Sequence, residues 1–252
     1  MQNNFRSKLL NGDPLIGTLI TLPSTEVAEI MVAAGFDWLF IDGEHSPMGP
    51  DRILAMLQAI GDRAAAIVRV PGNDEIIIKK ILDLGPDGII IPQVNSVEQA
   101  QAAVRAAKYP PQGNRGIGSG RASCYGFEQQ DYLATANEKV SVIIQAEHVD
   151  AVENIKDIVQ VQGIDAVFIG PYDLSASLGV TGQVDHPEVV AAIKQVTEVC
   201  QAVDMRLGIF GVSSDAVKPY IEQGHTLVCA GLDVLLLGHA GECLRKELSN
   251  LV

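Results

Sequence analysis

Short apolar runs of strand length alternate along the chain with amphipathic stretches of helical length. The runs are Leu15 to Thr21, Asp37 to Ile41, Ala65 to Val70, Gly88 to Ile91, Val140 to Ala146, Ala166 to Ile169, Arg206 to Phe210 and Thr226 to Ala230. Continuous apolar runs bounded by turn residues are what parallel strands buried on both faces require. Helical patterns fill the intervals near Thr25 to Ala34, Asp51 to Ile60, Asp74 to Leu84, Ser96 to Ala107, Asp150 to Val161, Pro187 to Val203 and Ser213 to Gln223, with a closing one from Leu232 to Leu248. Strand then helix, eight times in one chain, predicts an α/β protein with a single domain over 1–252, a (β/α)8 TIM barrel. Ser24, Asn73, Ser96 and Ser213 stand where helices should be capped, and Gly35, Gly61, Gly85 and Gly224 where they should stop. No tandem repeat, linker or low-complexity segment divides the chain. The one irregular stretch, Tyr109 to Asn137, holds two prolines, five glycines and two arginines, and a connection that long in a compact domain is usually functional or mobile.

Composition narrows the partners. The 252 residues are 47% hydrophobic, and 18 basic against 31 acidic side chains give a net charge of −13. With no basic run, the chain has no electrostatic grip on nucleic acid or anionic lipid, so an anionic ligand must be held by local charge or a metal. The four cysteines, Cys124, Cys200, Cys229 and Cys243, are irregularly spaced with no CxxC pair, which suits reduced thiols in a cytoplasmic protein. The amino-terminal residues lack the apolar stretch of a signal peptide, and no apolar run of about 18 residues occurs.

Barrel enzymes carry their reacting groups at the carboxyl ends of the strands, and these ends are unusually polar here. Asp42-Gly43-Glu44-His45 follows the second strand, Arg69 ends the third, Gln93 follows the fourth, Gln145-Ala146-Glu147-His148 closes the fifth, and Gly170-Pro171-Tyr172-Asp173 follows the sixth. Glu147 and Asp173 lie on adjacent strand ends. Two carboxylates with open positions suit a hard divalent cation such as Mg²⁺ or Mn²⁺, although a helix cap and a turn residue account for them equally well. His45 alone reads as a buried histidine, while Asp42 three residues earlier offers it the orienting hydrogen bond of a general base. Arg69 emerges from an apolar strand, where a cation must face an anion. Schiff-base chemistry needs an amine inside the barrel at a strand end. Every lysine but one falls in a helical segment, and Lys139 precedes the fifth strand at the wrong end.

The motifs Phe40-Ile41-Asp42-Gly43-Glu44-His45, Val68-Arg69-Val70-Pro71, Tyr109-Pro110-Pro111-Gln112-Gly113-Asn114-Arg115-Gly116, Gln145-Ala146-Glu147 and Phe168-Ile169-Gly170-Pro171-Tyr172-Asp173-Leu174-Ser175 run in order through nearly the whole chain. Together they resemble the metal-dependent (class II) pyruvate aldolases of the 4-hydroxy-2-oxoheptanedioate and 2-keto-3-deoxy sugar acid type. The resemblance implies that Glu147 and Asp173 bind a divalent cation, Mg²⁺ or Mn²⁺, with Co²⁺ or Zn²⁺ also accepted, which chelates pyruvate. It implies that Arg69 steadies the enolate, that Gln145 contacts substrate or a metal water, and that the turn Gly170, Pro171, Tyr172, Asp173 receives the pyruvate carboxylate. His45, held by Asp42, would move protons at the aldehyde oxygen. Asp83 would serve a neighbouring subunit, and Arg121 would meet the far end of the acceptor, with helix surface and a loop salt bridge as their plainer roles. The resemblance further implies a final helix exchanged between subunits in a hexamer, a trimer of dimers. Phe210, where Leu or Ile is common, should narrow the aldehyde pocket. His148, turned to the opposite face if the strand continues, reads as structural, and His186, before Pro187, as a helix entry. An acyl-coenzyme A lyase or synthase of the wider keto acid superfamily and a non-catalytic keto acid binding protein are the rival readings.

Overall fold

The computed structural model describes residues 5–251. Eight parallel strands close on themselves in sequence order, β1 (Leu15–Ile20), β2 (Trp38–Asp42), β3 (Ala65–Arg69), β4 (Gly88–Ile91), β5 (Ser141–Ala146), β6 (Ala166–Ile169), β7 (Arg206–Gly211) and β8 (Leu227–Leu232), with β8 paired to β1. The outer layer consists of α2 (Thr25–Ala33), α3 (Pro50–Ile60), α4 (Glu75–Leu82), α5 (Val97–Ala107), α7 (Val149–Ile158), α9 (Pro187–Ala202) and α10 (Ser214–Glu222). The (β/α)8 barrel expected from the apolar runs is the fold. Three helices lie outside the expected set: α1 (Phe5–Asn11), α6 (Gln129–Lys139) within the long connection, which also holds a short 3-10 helix at Arg121–Gly126, and the seven-residue α8 (Pro171–Ser177) after β6.

Alternation along the strands makes two cores. Outward residues such as Leu39, Ile41, Val68 and Ile144 pack under the helices. Inward residues, among them Leu15, Leu19, Trp38, Phe40, Ala65, Ile67, Ile143, Ala166 and Phe168, fill the barrel. Trp38 lies in its lower part, stacked on Phe40 with ring centroids 5.9 Å apart. Gly17 leaves the indole its space, because a Cβ there would meet the ring at 2.5 Å. From below, α1 presses the buried Phe5 and Leu9 against this cluster.

Capping follows the chemistry of the helix start, with one correction. Ser24, Ser96 and Ser213 accept from backbone N–H groups as expected, but the cap of α4 is Asp74, which accepts from Ile76 and Ile77, and Asn73 instead donates to the Gln99 carbonyl. A carboxylate is the stronger acceptor for the two unpaired amides.

A dispersed repeat marks the even strands. Gly35-Phe36-Asp37, Gly85-Pro86-Asp87 and Gly163-Ile164-Asp165 precede β2, β4 and β6. In each, the aspartate accepts from an amide at or beside the start of the preceding strand, at Ile16, Ala66 and Val142, at 2.8 to 2.9 Å. The three carboxylates thereby fix strand register at the lower rim.

The last helix, α11 (Asp233–Ser249), behaves differently. Asp233 is its only buried residue, and its carboxylate accepts from the Thr21 and Leu22 amides and the Thr21 hydroxyl. Beyond that anchor Leu237, Leu244, Leu248 and Leu251 are exposed, and so is Ile16 on the outer face of β1. No helix among the described residues is long and apolar enough to cross a membrane.

Candidate active site

The inward series that fills the barrel continues past the strand ends. On β2 it runs Trp38, Phe40, Asp42; on β3 Ala65, Ile67, Arg69; on β5 Ser141, Ile143, Gln145 and then Glu147. Alternation therefore delivers these polar side chains to one mouth. Of these, Arg69 and Gln145 border a cavity of about 120 Å³ that is also lined by Leu19, Phe40, His45, Phe168, Gly170, Pro171, Tyr172, Asp173 and Phe210. Larger clefts, about 370 Å³ between α5 and α7 and about 1150 Å³ beneath the barrel, contain none of this set.

Arg69 has the anionic partners its apolar strand demands. Its Nε donates to Asp42 Oδ1 at 3.0 Å and one Nη to Asp42 Oδ2 at 2.8 Å. The other Nη lies 3.2 Å from Glu44, and the guanidinium sits 5.3 Å from the Phe40 ring centroid. Burial works against both charges, but the pairing outweighs it: the Asp42 carboxyl is held below its ordinary value and the Arg69 guanidinium above its own.

The same contacts overturn the expected Asp42–His45 dyad. Asp42 Oδ1 also accepts from the backbone amides of Glu44 and His45, at 3.0 and 3.2 Å. With its lone pairs taken by Arg69 and the turn, Asp42 holds the backbone of His45 and not its imidazole. The ring is 65% exposed, and Glu44 Oε2 stands 3.8 Å from its Nε2.

Glu147 is buried, and two neighbours hold its carboxylate. Oε1 accepts from the Gln93 amide at 2.9 Å, and Oε2 accepts from the Gln145 side chain. Gln93 reaches this position in the left-handed region, with φ of +52°. Gly170 keeps the approach open, since a Cβ there would lie 2.7 Å from the Gln145 amide and 2.9 Å from Glu147. Burial lifts the Glu147 carboxyl to about 8, opposed by the Gln93 N–H and reinforced by the charges of Asp173 and Glu44. Burial likewise raises Glu44 against the pull of Arg69. Asp173 lies in the first turn of α8, where Pro171 occupies the opening position and supplies no N–H.

This donor set fits a hard divalent cation. The Glu147 carboxyl, raised by its burial and then by the nearby charge of the exposed Asp173, and the buried, unpartnered Gln145 Oε1 present oxygen to one region. Among the described residues no three His, Cys, Asp or Glu side chains form a ready-made cage, so a metal here would keep positions for water and substrate.

Arg121 is elsewhere in this chain, and Asp83, expected to serve a neighbouring subunit, lies away from this chain's own mouth as well. Arg121 donates to the carbonyls of Leu84, Gly85 and Leu57, at the carboxyl ends of α4 and α3. Those ends lie at the amino-terminal side of the strands, opposite the mouth of the same barrel, because the outer helices run back against the strands. Asp83 is at the same end, paired at 2.8 Å with Arg115, a fully buried guanidinium between the Tyr109 and Tyr132 rings. Phe210 and Tyr172 do reach the mouth, with ring centroids 6.5 Å apart. His148 and His186 cap α7 and α9. Sequence reasoning assigned no role to Glu44 or to the Gln93 amide. Glu44 carried a signal, standing two residues beyond Asp42 on the inward series, whereas a backbone amide carries none.

Comparison with known proteins agrees with this fold. Residues 16–240 match the HpcH/HpaI aldolase/citrate lyase family. A 4-hydroxy-2-oxo-heptane-1,7-dioate aldolase of Shigella sonnei is 41% identical over 97% of this chain and 94% of its own. The crystal structure of an HpcH/HpaI aldolase/citrate lyase family protein from Burkholderia cenocepacia superposes with a TM-score of 0.95 at 34% identity, covering 98% of this chain and 100% of that one. A citrate synthase, SbnG, shares the fold with a TM-score of 0.88 at 27% identity over 99% of both chains. The chain belongs to the HpcH/HpaI aldolase/citrate lyase family of carbon–carbon lyases.

Proposed function

We propose that the chain is a divalent-metal-dependent aldolase that cleaves a 4-hydroxy-2-oxo acid into pyruvate and an aldehyde and runs the reverse addition. The observation that supports this most directly is the buried Glu147 carboxylate facing Asp173 beside Arg69, at the end of a barrel of the aldolase family. Glu147 and Asp173 would hold the cation, with Gln145 Oε1 toward the same region. Bound there, Mg²⁺ or Mn²⁺ would draw electron density from the keto group of the substrate and acidify the adjoining carbon.

The residues of the chain then divide the work. Arg69, fixed by Asp42 and Glu44, turns its remaining Nη hydrogens toward the keto oxygen, where negative charge develops. In cleavage His45, directly or through a water, takes the proton of the C4 hydroxyl. The C3–C4 electron pair moves into the enolate as the aldehyde carbonyl forms, and the protonated His45, directly or through the same water, returns a proton to C3, which becomes the pyruvate methyl group. Phe168, Phe40 and Leu19 exclude bulk water beneath, and Gly170 to Asp173 borders the place of the pyruvate carboxylate.

Glu147→Ala should abolish both turnover and metal retention, measured by metal content after gel filtration; full turnover with chelator present refutes the mechanism. An acyl-coenzyme A-dependent enzyme would use acetyl-coenzyme A and not pyruvate as donor, so the donor tested against a common aldehyde separates that reading. The proposed assembly exchanges α11 between two copies, so that a partner helix covers Ile16, with the dimers grouped as a hexamer.

A further inference from the structure

The turn that joins β4 to α5 holds one residue in a costly backbone conformation with no packing to account for it. The ladder of β4 ends at Ile91, paired with Ile144 of β5. Two residues on, Gln93 takes a φ of +52° with its side chain exposed, a conformation unfavourable for any residue that carries a Cβ. What it secures is the direction of one N–H. Among the described residues that N–H has no backbone acceptor, and it donates to Glu147 Oε1 at 2.9 Å. The turn is also braced from outside. Asn154 of α7 donates through Nδ2 to the Asn95 carbonyl at 2.9 Å, and the Asn95 amide donates to Gln99 Oε1 at 2.6 Å. Because α7 starts two residues after Glu147, the Asn154 bond ties the turn that supplies the N–H to the helix that the carboxylate leads into. Pro92 and Val94, on either side of Gln93, are buried and leave the turn little room to move. A donor fixed in this way sets the orientation of a metal-binding carboxylate before any cation arrives.

We propose that the β4–α5 turn is a positioning element of the metal site, in which residue 93 acts through its backbone N–H and not its side chain, holding Glu147 in the orientation that receives the divalent cation. The inference rests on the aldolase reading and adds a positioning group to it. Mn²⁺ binding to the full chain, followed by loss of the free-ion electron paramagnetic resonance signal, tests the turn without substrate. Gln93→Gly keeps the N–H and is at ease at positive φ, so its Kd should stay within about twofold of the parent value. Gln93→Pro removes the N–H and cannot adopt this φ, and its Kd should rise by about 10- to 100-fold. Amide hydrogen exchange in the metal-free chain supplies a signature that general loosening would not. The Gln93 N–H should exchange slowly in the parent and fast in Glu147→Ala, while the amides of β4 keep their protection. Where Gln93→Pro does not fold, that comparison carries the test. Equal Kd values for Gln93→Gly and a folded Gln93→Pro, weakening by Gln93→Gly of about tenfold or more, or equal exchange at Gln93 in the parent and Glu147→Ala overturns the positioning proposal alone. A parent chain that binds no Mn²⁺ brings down the aldolase reading itself, and the exchange result still decides whether the turn holds Glu147.

Discussion

Arg69 shows how one side chain ties stability to chemistry. Its guanidinium is buried because β3 is buried, and it is tolerable there only because Asp42 grips it through two parallel hydrogen bonds. Arg69→Ala leaves both acids facing no cation and should cost about 3–5 kcal/mol in urea unfolding. The joint change Arg69→Met with Asp42→Leu should cost less than Arg69→Ala alone, because it removes the unpaired charge; a larger cost would mean that the pair is itself a net source of stability. Arg69→Lys keeps the charge without the fork, so folding should survive while methyl exchange slows. His225 contributes acid sensitivity to the fold. It is buried with Nε2 3.0 Å from the Thr197 hydroxyl, and burial pushes it down to about 4. Between the ordinary imidazole value near 6.5 and that depressed one, the unfolded chain takes a proton that the folded chain refuses. Stability is therefore full above the ordinary value and falls as pH drops, by about 2 kcal/mol from pH 7 to pH 5. His225→Gln should flatten that slope, and an unchanged slope would assign the acid sensitivity to another group.

At the level of elements, the barrel was legible because strands covered on both faces leave continuous apolar runs, and all eight lie where those runs do. The short helices were not. In α1 only Phe5 and Leu9 are buried, and in α6 only Ala136, so neither shows a stripe wide enough to declare a helix. The site was legible to the same depth as the strands, since inward alternation places Asp42, Arg69, Gln145 and Glu147 without further information. Sequence spacing failed where the outcome depended on competition for lone pairs, as when Arg69 and two amides took the carboxylate assigned to His45. It failed again in the long connection, whose polar, glycine-rich residues do not say to which end of the barrel Arg121 is carried. Glycine stops test the element scale directly. Gly35 and Gly163 both adopt left-handed φ, +93° and +98°, but a Cβ at Gly35 meets nothing within 4 Å, whereas at Gly163 it meets Val104 Cγ1 at 2.6 Å. Gly35→Ala should cost about 1–2 kcal/mol, the backbone penalty alone, and Gly163→Ala measurably more, because α5 must shift. Equal costs would show that the loop around Gly163 yields instead.

The proposed exchange of α11 accounts for two uncovered surfaces of the chain. In a closed barrel the helix after β8 returns across β8 and β1, but here it departs after Asp233 and leaves Ile16 52% exposed on a strand whose other outward residues are covered. The helix carries its own matching need. Leu237, Leu244 and Leu248 recur at helical spacing and are 54% to 68% exposed, a stripe that water does not favour. A helix with an uncovered stripe and a barrel with an uncovered strand, in the same chain, satisfy each other if two copies trade helices. The anchor at Asp233 fixes where the exchange begins, because its carboxylate ties the first turn to Thr21 and Leu22 and leaves the remaining turns free to cross. Leu237→Glu with Leu244→Glu puts charge into that contact without touching the mouth or the barrel core. Sedimentation should then show a smaller assembly than the parent chain forms, with greater binding of an apolar dye as Ile16 is bared. An unchanged mass would mean that α11 is not what joins the copies, and a parent already sedimenting at the 26.8 kDa of one chain would end the exchange proposal.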